Sequence, residues 1–265
     1  MKSCMPIIGL IAVAVILVRG STVCAGVIMA QTSVTSGPHS HVTEKRTVYV
    51  QGNKQKVEVP GFDTITDLDQ GVFYVIDKDK KEYVIFPLTS LKAAEPAGGV
   101  SESKIQLAKT GKTRLVANNL CKEYRGVTGN DVEHITFSAC VSDSAPGASE
   151  IAKFARSMAA QLHWNDAKTP SAPGPDSLIL ERKSTVRVRV PNLTQESPYD
   201  VATLSTEIRV DHISNETLPP ATFVPPKEFQ KLQPRTNGPE ESPVVPGDAL
   251  QVMALFSPDA AERRS

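Results

Sequence analysis

The residue types that perform chemistry are thinly spread along this chain. Its five histidines are His39, His41, His134, His163 and His212. His39 and His41 lie in a Ser/Thr/Gly stretch, where they are either solvated or adventitious metal ligands. His163 follows an apolar run at helical spacing, a position where histidine complements the helix dipole. The carboxylates fall mostly in turns and at alternating strand positions, so no pair is set apart as acid and base. There is no G-x-S-x-G elbow, H-E-x-x-H pair, Walker A loop or G-x-G-x-x-G turn. The expectation is a protein without catalytic residues, metal or cofactor. A hydrolase with an unrecognised site is the minor alternative.

The cysteines point to a compartment. Four are present: Cys4, Cys24, Cys121 and Cys140. A weakly basic start, an uncharged run from Met5 to Val18 and a small-residue stretch ending Val23-Cys24-Ala25 have the form of a secretory signal peptide over 1–25. Cleavage is expected after Ala25, with Ala30 as second choice. An uncleaved anchor must tolerate Arg19 inside the span. A lipoprotein acylated at Cys24 would need a lipobox, and Ser21 and Val23 do not supply one. Removal of 1–25 leaves Cys121 and Cys140, an even count in an oxidising compartment, and a disulfide between them is expected. Two cysteines with no histidine at ligand spacing make a poor zinc site. The protein is therefore placed in the periplasm or outside the cell.

Lysine plus arginine number 29, and so do aspartate plus glutamate. So balanced a chain has no electrostatic reason to meet nucleic acid or an anionic surface. Apolar residues make up 40%, enough for one sizeable core.

The elements that could position a site are mostly strands. Gln31 to His41 carries no apolar period, and residues 26–43 read as a disordered lead-in. From Glu44 to Leu232 short β-prone segments follow one another. Val57 and Val59 alternate with charge, while Val72–Ile76 and Tyr83–Phe86 are apolar on both faces around the charged turn 77–82. Thr110-Gly111-Lys112 reads as another hairpin turn. Ile151, Phe154, Ala155, Met158, Ala159 and Leu162 recur at helical spacing, with Ser149 as the cap. Thr185–Val190 alternates valine with arginine, and Thr206–Val210 is its expected antiparallel partner, with opposite charges facing across the pair. Residues 233–265 read as a Pro-rich tail, whose apolar stretch is Leu250–Phe256. The fold class is mainly β (α+β), with about ten strands in an antiparallel sheet and one main helix. Asn192-Leu193-Thr194 and Asn215-Glu216-Thr217 are glycosylation sequons, relevant only in a eukaryotic host.

Four motifs in order resemble a known family. They are Tyr49 to Val57 (YVQGNKQKV), Asp77 to Tyr83 (DKDKKEY), Thr110-Gly111-Lys112-Thr113 followed by Cys121-Lys122-Glu123-Tyr124, and Leu218 to Pro226 (LPPATFVPP). Together they are similar to a bacterial exported domain family of unknown function, grouped by fold with LolA-like periplasmic lipoprotein carriers. The resemblance covers Glu44 to Leu232. It implies a curved antiparallel sheet or half-barrel lidded by helix, and a module that holds an acyl group or acts as an envelope sensor.

Because Val72–Ile76 and Tyr83–Phe86 are apolar on both faces, both faces need cover. One helix covers one of them. Neighbouring loops and strands, a partner or an apolar ligand must cover the other. The candidate apolar lining is Phe73, Val75, Ile85, Val186 and Val188. The expected function is an exported, non-enzymatic binding module for a lipid or acyl group, with an envelope protein-interaction or sensor domain as the alternative.

Overall fold

Successive side chains of a strand point to opposite faces, so an alternating segment buries one face and wets the other. The computed structural model describes residues 26–91, 107–130, 132–162, 174, 176–191 and 199–233. They form twelve strands and one α-helix. The strands are β1 (Gly26–Gly37), β2 (Ser40–Gln51), β3 (Lys54–Val59), β4 (Phe62–Asp67), β5 (Val72–Asp77), β6 (Glu82–Pro87), β7 (Ala108–Val116), β8 (Asn119–Gly129), β9 (Glu133–Ser142), β10 (Leu178–Pro191), β11 (Tyr199–Glu216) and β12 (Gln230–Leu232). The helix α1 (Ala148–Leu162) lies between β9 and β10 in the chain.

All twelve strands join one open sheet in the order β12-β6-β5-β4-β3-β2-β1-β11-β10-β9-β8-β7. Two antiparallel meanders, β1 to β6 and β7 to β11, meet where β1 pairs with β11. The short β12 runs parallel to β6 at one edge. The mainly β class with one main helix is what the sequence led us to expect.

Ten strands, every one from β6 round to β7 except β4, contribute buried residues to a single apolar cluster that also contains Ile151, Phe154, Met158 and Leu162 of α1. Laid flat, the eleven strands from β6 to β7 would span about 48 Å at ~4.8 Å spacing, while a helix with its side chains is about 10–12 Å across. One helix can touch so many strands only if the sheet curves around it. Of the helix's five buried residues, all but Ala148 are among those picked out by the 3.6-residue spacing. The helix begins at Ala148, one residue before the expected cap Ser149. Its entry is set by Gly147, whose φ of +69° favours glycine. A Cβ there would also lie 2.2 Å from Cγ2 of Val27.

The outer face of the first meander is covered by the chain itself. Leu218, Phe223 and Phe229, from the segment after β11, pack with Ile28, Tyr49, Ile65, Tyr74, Ile76 and Tyr83. The N–H of Leu218 donates to Oε1 of Gln51 at 3.0 Å, and Gln230 N–H donates to the Lys81 carbonyl at 2.8 Å. The double-sided apolar strands β5 and β6 thus find α1 on one side and the Pro-rich segment on the other.

Three expectations are corrected. Residues 26–43, read as a disordered lead-in, are β1 and the start of β2. The polar part of β1 has no apolar period because its place is held by backbone pairing to β2 and β11 on both sides, not by side-chain burial. Thr110-Gly111-Lys112 is no hairpin turn. It is a bulge inside β7, where the register jumps between Lys109 and Thr113 and Gly111 has φ +78°. The β7–β8 turn falls instead at Ala117 and Asn118, both at positive φ. The segments 178–180 and 185–190 are one continuous strand, β10. The segments 1–25 and 234–265, with Leu250–Phe256, lie outside the described residues, as do His163 and Asn192.

Candidate ligand-binding face

Four of the longest strands, β2, β1, β11 and β10, are neighbours at the middle of the sheet. At one end of each, alternate residues belong to the helix-packed core: Val50 and Val48, Val27 and Met29, Val210, and Leu178 and Leu180. Beyond that core the same face changes character. Residues paired across strands share a face, and so do residues two apart on one strand. Arg46 of β2 is opposite Gln31 of β1, Ser33 is opposite Ile208 of β11, and Ile208 is opposite Arg182 of β10. Arg46, Gln31, Ser33, Ile208 and Arg182 therefore lie on one face, as a band crossing four strands.

Two arginines in this band lack a carboxylate partner. Arg46 is 5% exposed, and its Nε donates to Oε1 of Gln31 at 2.7 Å. Its Nη1 is buried with no hydrogen-bond partner. Burial, then the charge of Arg182, pulls the Arg46 guanidinium down to about 9, and Glu44 opposes this only in part. Burial also lowers Arg182. A guanidinium that loses protonation affinity to burial is one whose charge is poorly compensated by its surroundings. Gln31 is anchored in turn by a contact from its Nε2 to Sδ of Met29 at 3.3 Å.

Past the arginine band, the face turns apolar again. Ile135, Val186 and Leu204 form a cross-strand row of half-buried side chains, and Val188 follows opposite Ala202. None of these belongs to the three hydrophobic clusters of the described residues. Arg182 is also opposite Ala139, which clusters with Tyr124 and Phe137.

The five residues expected to line an apolar site do not share one surface. Phe73 and Val75 are buried in the core cluster with α1. Ile85 is opposite Tyr74 of the outer-face cluster, so it lies on the other side of the sheet. Val186 and Val188 lie on the Arg182 face. The sequence reading missed Arg46 and Arg182. The one signal was Arg46 at a position in phase with Val48 and Val50, an arginine on an inward-facing register.

The remaining polar groups are mostly paired. On the outer face Lys56 bridges Glu58 at 2.7 Å and Asp63 at 3.2 Å, and Tyr49 donates to Glu58 at 2.9 Å. Lys183 faces Glu207 at 3.6 Å and Arg209 faces Glu181 at 4.0 Å. The strands β10 and β11 do pair, but in another register than expected: Thr206 faces Ser184, and Thr185–Val190 lies opposite residues 200–205. His41 Nδ1 lies 2.9 Å from Oγ of Ser36 across the β1–β2 hairpin. Among the described residues no three of His, Cys, Asp and Glu gather as metal ligands. A cavity of about 380 Å³ has Gln31, Arg46, Lys45, Lys78, Glu58 and Asp211 in its wall. Cys121 and Cys140 are joined, with Cα atoms 5.4 Å apart, linking the adjacent strands β8 and β9 inside the core. Such a bond belongs to an oxidising, extracytoplasmic compartment.

The chain matches no family model and no curated protein. Among solved structures, PNGF-II is similar at 9% identity with a TM-score of 0.33, over 79% of this chain and 31% of that one. The chain thus spans about a third of that protein's length. A LolA superfamily protein from Nitrosomonas europaea is similar at 7% identity and TM-score 0.29, over 76% of this chain and 90% of that one. A DUF1329 family protein from Desulfovibrio piger is similar at 8% identity and TM-score 0.30, over 77% and 91%. At these TM-scores the likeness carries no argument about ligand or activity.

Proposed function

We propose that the chain is an exported, non-enzymatic binding module that holds an apolar or acyl group against the face of β10 and β11 beyond the helix-packed core. One observation carries this reading. Ile135, Val186, Val188 and Leu204 line up on neighbouring strands of one face, half-buried, yet outside the clusters that form the core. Each methylene that a ligand buried there would contribute about 0.8 kcal/mol. The ligand site is thus moved from beneath α1, where Phe73 and Val75 are already packed, to the far ends of the long strands. Periplasmic or secreted placement is supported by the Cys121–Cys140 disulfide and by the leader-like segment 1–25. Cleavage after Ala25 leaves β1 whole, whereas cleavage after Ala30 would remove Val27 and Met29 from the core.

The test is native mass spectrometry with lipid extraction on the purified mature protein. A co-purifying acyl species, lost when Val186 and Leu204 are both changed to Ser, is the expected result. A protein that carries none and takes up none from added acyl ligands would sink the reading.

A further inference from the structure

We infer that Arg46 and Arg182 form a binding site for the acidic headgroup of an acyl ligand, a carboxylate or phosphate group, at the inner end of the apolar strip on β10 and β11. The inference rests on the proposed acyl-binding face and names the chemistry of what it would take.

Position comes first. Arg182 precedes Ser184, Val186 and Val188 at successive same-face steps along β10. Val186 is thus about 13 Å from Arg182 along the strand, and Val188 about 20 Å, at ~3.3 Å per residue. A ligand lying along the strip would bring its head to the arginine band and run its tail over Val186 and Leu204. Arg46 approaches the same band from the other side of β1 and β11.

Charge comes second. A buried guanidinium is ordinarily paired with a carboxylate, because an uncompensated buried charge is strongly destabilising. Arg46 is nearly fully buried and receives one neutral acceptor, Gln31 Oε1, while its Nη1 has none. Glu44, two residues away on the same strand face, makes no ion pair with it. Arg182 has no hydrogen bond or ion pair among the described residues either. Two like charges held near each other, opposed only in part by Glu44, are stable only at a cost, and an oxyanion between them would lower it. Two or three oxygens also match the forked donors of guanidinium groups.

Other features carry less. The exposed pair Leu115 and Leu120 at the β7–β8 end has nothing in the structure to say what covers it. The Lys56–Glu58–Asp63–Lys78 network pairs its charges with one another.

The test is calorimetric titration of the purified mature protein, freed of lipid, with three probes: hexadecanoate, its methyl ester and inorganic phosphate. Hexadecanoate should bind at least about tenfold tighter than the ester, the scale of a charge-assisted hydrogen bond. Arg182→Gln should abolish that difference and leave the ester unchanged. Arg46→Gln should do the same if its thermal unfolding shows that it folds. The acid-to-ester comparison on the unaltered protein stands whether or not either variant folds. Equal binding of acid and ester would overturn the headgroup site while leaving the acyl-binding reading intact. Phosphate binding that depends on both arginines, with no uptake of acid or ester, would uphold an anion site and overturn the acyl reading. Binding of none of the three would overturn both.

Discussion

Glu150, in the first turn of α1, accepts a hydrogen bond from the backbone N–H of Gly52 at 2.5 Å, tying the helix to the β2–β3 turn. At the other end Gln161 donates from Nε2 to the carbonyl of Leu68 at 2.8 Å, just past β4. The helix that fills the curve of the sheet is thus latched at both ends to turns of the first meander, while its apolar face supplies the adhesion between them. Glu150 also sits where a carboxylate complements the N-terminal end of the helix dipole.

Loss of either latch should loosen the helix without dissolving the sheet. Glu150→Ala and Gln161→Ala are each expected to cost about 1–2 kcal/mol in urea denaturation, the usual loss when a partly buried hydrogen bond is broken. Amide exchange in 148–162 should speed up more than in β1 or β2. Uniform acceleration across the sheet would show that helix and sheet open together and that the latches are not local.

Gly147→Ala should be costlier than either. It demands a left-handed backbone from alanine, roughly 1–2 kcal/mol, and places a methyl group against Val27 in the core. A thermal midpoint unchanged from that of the unaltered protein would contradict the tight entry to α1.

Reduction of Cys121–Cys140 should lower stability by roughly 3 kcal/mol, the chain-entropy value for a loop of this size. Paired denaturation curves with and without reductant measure it. Coincident curves would show that β8 and β9 pairing already restricts the unfolded chain as much as the bond does.

Acid should weaken the protein through Glu181. Hydrogen bonds from both terminal nitrogens of Arg114 hold its carboxyl below the ordinary 4.5, against the upward pull of burial. A carboxyl depressed by folding stabilises the native state fully above its unfolded value. That contribution is lost as pH falls below 4.5 and through the lower folded value. Stability of the unaltered protein should therefore fall more steeply below that pH than stability of Arg114→Ala. Parallel acid limbs for the two proteins would remove Glu181 from the account.

The mature protein should begin at Gly26. Edman sequencing or intact mass of exported material checks this, and a start at Gln31 would delete two core side chains, Val27 and Met29, each worth about 1.5–3 kcal/mol of burial.

Legible in the sequence alone were the strands whose side chains alternate, the helix whose apolar residues recur every 3.6 positions, and the fact that β10 pairs with β11, though not the register, which puts Thr185–Val190 opposite residues 200–205. The sequence also singled out Cys121 and Cys140 as partners. These are local periodicities and counts, and they survive without knowledge of neighbours. That residues 26–37 are a central strand could be read only from the fold, because β1 is made by hydrogen bonds to β2 and β11 and carries little apolar signal over its polar half. The fold also decided which face each double-sided strand buries against what. Phe73 and Val75 went under α1, and Ile85 went to the outer face covered by the Leu218–Phe229 segment. The convergence of Arg46 and Arg182, 136 positions apart in the chain, depends on the register of three strand pairings at once, and no single stretch of sequence contains it.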